Sequence, residues 1–139
     1  MKIAVVDGQG GGIGKIIVEK LRIAFGDTIK IIALGTNALA VSLMIKAGAD
    51  EGASGENAII YSASKVNIIM GPIGIIVANS MLGELTPKMS SAISESNADK
   101  ILIPVNKCNL HIANVKDDNI SSHIENAIEL IEKIAGADL

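Results

Sequence analysis

The stretch Lys2-Ile3-Ala4-Val5-Val6-Asp7-Gly8-Gln9-Gly10-Gly11-Gly12-Ile13-Gly14-Lys15-Ile16-Ile17-Val18-Glu19-Lys20-Leu21 decides the fold. Its opening is a short apolar run rich in β-branched residues, the pattern of a buried strand. Its last part repeats apolar residues at helical spacing. Between them lie five glycines within residues 8–14. Glycine lets the backbone bend tightly and approach an anion closely. A helix beginning there offers unpaired N–H groups and the positive end of its dipole. Strand, glycine turn and helix together make a physical case for binding phosphate. The competing reading is a tight strand-to-helix turn that binds nothing.

Working outward, Gly26-Asp27 marks a turn, and Ile29 to Leu34 reads as a second buried strand ending at Gly35. Thr36 fits the N-cap of a helix over 37–46, which Gly48 stops. Residues 49–54 have room for a short edge strand. Ser54 could cap a helix over 56–61, a segment that also fits an extended conformation. Val66 to Met70 reads as a central strand, closed by Gly71-Pro72-Ile73-Gly74. Residues 75–85 are apolar around most of a helical circumference and are predicted as a helix. Thr86-Pro87 then starts another helix to about Ser96, with proline at its first position. A strand is expected over 101–105, a short one over 111–115, and a final amphipathic helix over 121–134.

Strands alternating with helices predict an open, mostly parallel sheet of five or six strands with helices on both faces. Right-handed crossovers make this a single Rossmann-like α/β domain over 1–139, with a strand order such as 3-2-1-4-5. Ligands of such sheets bind beyond the carboxyl ends of the strands, where the order switches between strands 1 and 4. Both glycine loops, 8–14 and 71–74, fall there.

Composition narrows the classes. The chain has 139 residues, 49% of them hydrophobic but only 1% aromatic, so its core is aliphatic. A net charge of −3, with no basic stripe and no aromatic platform, argues against nucleic acid as the main partner. One cysteine, Cys108, excludes an internal disulfide and a Cys-based zinc site, and no metal-ligand spacing stands out. No leader pattern and no apolar run of roughly 18 residues appears, so no membrane span and a cytoplasmic location are expected.

The glycine loop matches some templates and fails others. G-x-G-x-x-G from Gly8 and Gly10 fails at Ile13. G-x-x-x-G-x-G fits at Gly8, Gly12 and Gly14 and resembles the cofactor loop of short-chain dehydrogenases. Gly11 to Lys15 looks like a P-loop, but Gln9 stands at its first glycine and Ile16 at its Ser/Thr. NAD or NADP is the expected ligand, with another adenine nucleotide possible. Strand 2 ends in Leu34-Gly35-Thr36-Asn37, without the acid that usually holds an NAD ribose. Thr36 or Asn37 could bond a ribose or phosphate instead. The expected binding set is Asp7, Gly8, Gln9, Gly10, Gly11, Gly12, Ile13, Gly14, Gly35, Thr36, Asn37, Gly71, Pro72, Ile73, Gly74 and Asn79. Asp7 either touches ligand hydroxyls or caps the loop. Ser80 and Glu84 could face the cleft, although buried polar caps are the plainer reading.

Tyr61-Ser62-Ala63-Ser64-Lys65 spells the Tyr-x-x-x-Lys signature of short-chain dehydrogenases. In that family the motif lies far later, and its serine would fall here at Gly48. The pair also precedes strand 4, which puts it at the amino-terminal edge, opposite the glycine loops. It is therefore read as coincidence. Lys107-Cys108 follows strand 5, where a lysine could favour a thiolate; packing is the plainer role. No catalytic set is assigned.

Asp-Gly-Gln-Gly-Gly-Gly-Ile-Gly at 7–14, Ala-Leu-Gly-Thr-Asn-Ala at 33–38 and Gly-Pro-Ile-Gly at 71–74 carry a family resemblance. With 78–84 and 103–108, they resemble a family of small bacterial Rossmann-like proteins classed as a domain of unknown function. The resemblance spans nearly the whole chain and implies the fold, but supplies no reaction. The chain is thus expected to be a nucleotide-binding sensor or accessory module. One alternative is a small oxidoreductase completed across a homodimer, whose contact the apolar segment 73–85 would make. The other is a structural subunit without ligand.

Overall fold

A computed structural model describes residues 1–105, 109–115 and 119–137. Five parallel strands, β1 (Lys2–Asp7), β2 (Lys30–Gly35), β3 (Glu51–Ser54), β4 (Ile68–Pro72) and β5 (Asp99–Ile103), form one sheet in the order β3-β2-β1-β4-β5. This is the predicted doubly wound order. The expected strand at 111–115 does not form; its residues are turn and irregular structure.

Side chains alternate across a strand, so each strand feeds both faces. Ile3 and Val5 of β1 join Ile31, Ile68 and Met70 on one side, under α1 (Gly12–Phe25), α2 (Ala38–Ala47) and α5 (Ile120–Ala137). Ala4 and Val6 face the other side with Leu34 and Ile69, under α3 (Glu56–Ala63) and α4 (Pro87–Glu95). Neither core contains a buried aromatic ring, and each fully buried isoleucine or leucine contributes about 1.5–3 kcal/mol.

Several local expectations need correction. Asn37, not Thr36, caps α2: its Oδ1 accepts from the Ala40 amide at 2.9 Å. Thr36 is diverted to another partner, described below. Gly55 rather than Ser54 precedes α3, and the segment is helical, not extended. Thr86 does cap α4, accepting from the Met89 amide at 3.2 Å, and its hydroxyl donates to Glu56 at 2.6 Å.

The largest departure is at 75–85, which is not a helix. One 3-10 turn (Ile73–Ile76) is followed by a compact loop. Asn79, Met81 and Leu82 take left-handed backbone with φ of 64°, 59° and 55°, and Gly83 follows at 87°. For non-glycine residues that conformation costs about 1–2 kcal/mol each. The sequence opposes a helix here in three ways. Ile75, Ile76 and Val77 are β-branched, Gly83 favours a turn, and Ser80 bonds backward to the Gly74 carbonyl at 2.5 Å. Ile75 and Leu85 still reach the core, while Leu82 is 96% exposed. The segment therefore presents no apolar helical face to a second chain.

At the amino-terminal edge, Arg22 ties four elements together. Its guanidinium donates to Gly48 O at 2.7 Å, Gly26 O at 2.8 Å, Ile29 O at 3.1 Å and the Asp50 carboxylate at 2.6 Å. Asp50 also accepts from the Ile31 amide, and that bond, followed by Arg22, holds its carboxyl below the usual range. Arg22→Ala should cost about 1–2 kcal/mol in urea unfolding, chiefly through the part-buried Gly48 and Ile29 carbonyls left without a partner. Arg22→Lys should recover little, because one ammonium cannot span the same acceptors.

Candidate functional site at the carboxyl end of β1

β1 ends at Asp7, whose side chain is 5% exposed. Its Oδ1 accepts from the Gly8 amide at 2.8 Å and its Oδ2 from the Gly14 amide at 2.6 Å. One carboxylate thus bridges the first and last glycines of the loop. Of the two roles expected for Asp7, the structure displays the loop cap. The Gly11 amide closes the turn onto Gly8 O at 2.9 Å, and Gly11, at φ 72°, is the N-cap of α1.

The glycines divide by what surrounds them. A side chain at Gly8 would collide with Thr36 Oγ1 and meet Met81 Sδ at 2.6 Å. One at Gly14 would meet Met44 and Asp7 under 3.0 Å, and one at Gly11 the Ala40 backbone at 2.8 Å. Packing explains these three. At Gly10 and Gly12 an added methyl would find nothing within 4 Å, and neither residue has a positive φ. Beside them, the first-turn amides of Gly12 and Ile13 have no hydrogen-bond partner among the described residues.

Glu84 completes the loop from the other side. Its Oε1 accepts from the Gln9 amide at 2.9 Å, Thr36 Oγ1 at 2.7 Å and Asn37 Nδ2 at 2.8 Å. Asn37 Nδ2 also donates to Gln9 O at 3.0 Å. The Thr36 hydroxyl, then the Gln9 amide and Asn37, hold the Glu84 carboxyl below the usual glutamate range. The acid that the end of β2 lacks in sequence is therefore delivered there by the 77–85 loop.

On the β4 side of the glycine loop lies a cavity of about 240 Å³. Gly8, Gln9, Ile13, Pro72, Gly74 and Met81 contribute to its wall. Asp7 is the one ionisable side chain lining it among the described residues. Of the remaining expected site residues, Gly35 and Gly71 serve close packing, against Asn37 O and Val6 O. Ile73 turns away into a groove beneath α5. Asn79 supplies a left-handed turn, its amide bonded to Leu85 O at 2.8 Å. Tyr61 and Lys65 lie elsewhere. The ammonium sits 3.9 Å from the ring centroid, in a groove with Lys2 and Glu51. Lys107 and Cys108 lie outside the described residues. A wider groove at the opposite end of the sheet, lined by Met1, Asn67 and Asp99, is not at the strand ends where such folds bind ligands.

A five-stranded parallel sheet with a glycine-rich first turn and a cavity at its β1/β4 switch point defines a Rossmann-like α/β protein. The chain belongs to the DUF3842 family, a domain of unknown function, whose family model matches residues 2–136. No curated protein matches its sequence. Among solved structures it is similar to a dodecameric FMN-dependent Ubix-like decarboxylase from Escherichia coli O157:H7. The two share 14% identity over 95% of this chain and 76% of that one, with a TM-score of 0.50. It is also similar to a universal stress protein in complex with cAMP, at 18% identity over 73% of this chain and 95% of that one, TM-score 0.43. At 14% identity the decarboxylase likeness bears on the fold alone. No helix among the described residues is long and apolar enough to cross a membrane.

Glu84 ties its pKa to stability with a definite sign. A carboxyl with a lowered folded pKa stabilises the fold above its unfolded value, about 4.3, and that contribution disappears as pH falls through the folded value. Glu84→Gln should therefore be less stable than the wild type at about pH 6–7. The gap should close in acid, measured as urea midpoints across the pH range.

Proposed function

We propose that this protein binds an adenine nucleotide of the NAD(P) type across the carboxyl end of β1, acting as a cytoplasmic sensor or accessory module. The observation that carries this reading is the open backbone at Gly10 and Gly12. The fold accounts for the other glycines of the loop, but no packing contact requires these two. They adjoin the unpartnered amides of Gly12 and Ile13 at the start of α1, where a phosphate finds N–H donors and a favourable dipole.

The surroundings fit an elongated ligand. The cavity of about 240 Å³ lies on one side of the glycine loop and the Glu84 corner on the other. Enclosed small-molecule sites usually measure ~300–1,000 Å³, so a dinucleotide would straddle the loop rather than sink into the cavity. A binding role is favoured over an oxidoreductase. Among the described residues, the single ionisable group on the cavity wall is Asp7, which is committed to the loop amides. A homodimer is the accompanying proposal, its support reduced to the exposed Leu82 at the cavity rim.

Native mass spectrometry of freshly purified protein would read bound nucleotide and oligomeric state together. Thermal unfolding with NAD, NADP, ADP, coenzyme A and FMN, the cofactor named for the decarboxylase neighbour, would rank ligands. A binder at about 100 times its Kd adds about 2.7 kcal/mol. Gly12→Asp meets open space at the first position of a helix, where an acid suits the dipole. It should leave the ligand-free protein as stable as the wild type and abolish the ligand-induced shift. Gly12→Ala should raise ligand-free stability by about 0.4–1 kcal/mol. If no nucleotide shifts the transition, the structural-subunit reading replaces this one.

A further inference from the structure

We infer that the corner made by Glu84, Thr36 and Asn37 is a ribose subsite that accepts an unmodified hydroxyl and rejects a 2′-phosphate. This rests on the nucleotide reading above and narrows it to ligands of the NAD and ADP kind.

In doubly wound folds an acid at the end of β2 holds the ribose hydroxyls, beside the strand whose loop holds the pyrophosphate. Here β2 ends at Gly35, with Thr36 and Asn37 following, and β1 pairs with it in register up to Asp7 and Gly35. Glu84 enters that corner from a distant segment of the chain. Three donors converge on its Oε1, so the carboxylate is both fixed and kept ionised. Its Oε2 has no partner among the described residues. None of their buried side-chain oxygens lacks a partner, so Oε2 of the half-buried Glu84 keeps some contact with solvent.

The free group at the corner is thus an acceptor carrying negative charge. The donors beside it, the Thr36 hydroxyl and the Asn37 amide, are already spent on Oε1 and on the Gln9 carbonyl. No described lysine or arginine forms an ion pair with Glu84. A ribose hydroxyl can donate to Oε2 in this setting. A 2′-phosphate meets a like charge and finds no uncommitted donor, a mismatch that binding sites use to exclude wrong ligands.

Titration calorimetry with two matched pairs tests this: NAD against NADP, and ADP against 2′-deoxy-ADP. The wild type should bind NADP and 2′-deoxy-ADP each at least about tenfold more weakly than its partner, the scale of one lost bond to a charged group. Glu84→Gln, which removes the charge, should narrow the NAD–NADP gap to under about threefold. Equal binding of NAD and NADP by the wild type, or an unchanged gap in Glu84→Gln, would overturn the ribose subsite while leaving nucleotide binding intact. Failure of every nucleotide to bind would overturn both. Should Glu84→Gln not fold, the two wild-type pairs decide the matter without it.

Discussion

The bridge from Asp7 to the Gly8 and Gly14 amides is the constraint on which the rest of the site depends. A parallel sheet must turn each strand end into a helix start, and that turn exposes amides that need partners. Asp7 satisfies one at each end of the loop with a single buried carboxylate. This fixes the distance between β1 and α1, and the packing of Gly14 against Met44 and Asp7 follows from it. Because the Gly8 and Gly14 amides are thereby spent, the proposed anion site falls to the amides of Gly12 and Ile13 at the start of α1. The glycine pattern alone overstates how many amides face a ligand.

Glu84 performs the matching task on the outer side. It enters on a loop that contains three left-handed non-glycine residues, Asn79, Met81 and Leu82. Such backbone persists only where its surroundings over-determine it. Here those surroundings are the Ser80 bond to Gly74, the contact of Met81 over Gly8, and the three donors on Glu84. The 77–85 loop therefore joins the two glycine loops. It couples the end of β2 to the end of β4 across the switch point, and a ligand held there would touch segments from both halves of the sheet.

The parts of the fold set by local periodicity are legible in the sequence. β1, the glycine turn and α1 follow from an apolar run, five glycines and a helical repeat, and the strand order follows from alternation. The 75–85 segment is not legible in this way, because apolar content all round a helix resembles a buried helix. The outcome is decided instead by Ser80 and Gly83, and by contacts to residues far away in sequence. Thr36 is obscured for a similar reason. Thr and Asn are both good caps, and only the arrival of Glu84 separates their roles. The signal for Glu84 is present, since it is the one ionisable residue in an apolar stretch. Its destination, the acid-free end of β2, is a tertiary fact that spacing does not encode.

The division of the loop amides is the central claim: those of Gly8, Gly14 and Gln9 are bound internally, and those of Gly12 and Ile13, without a partner among the described residues, are the ones proposed to meet an anion. An amide-resolved NMR titration with ADP tests it most directly. Large shifts centred on Gly12 and Ile13, with those of Gly8 and Gly14 little changed, are the predicted result. Shifts centred on the groove at the amino-terminal edge, or none anywhere, would contradict it.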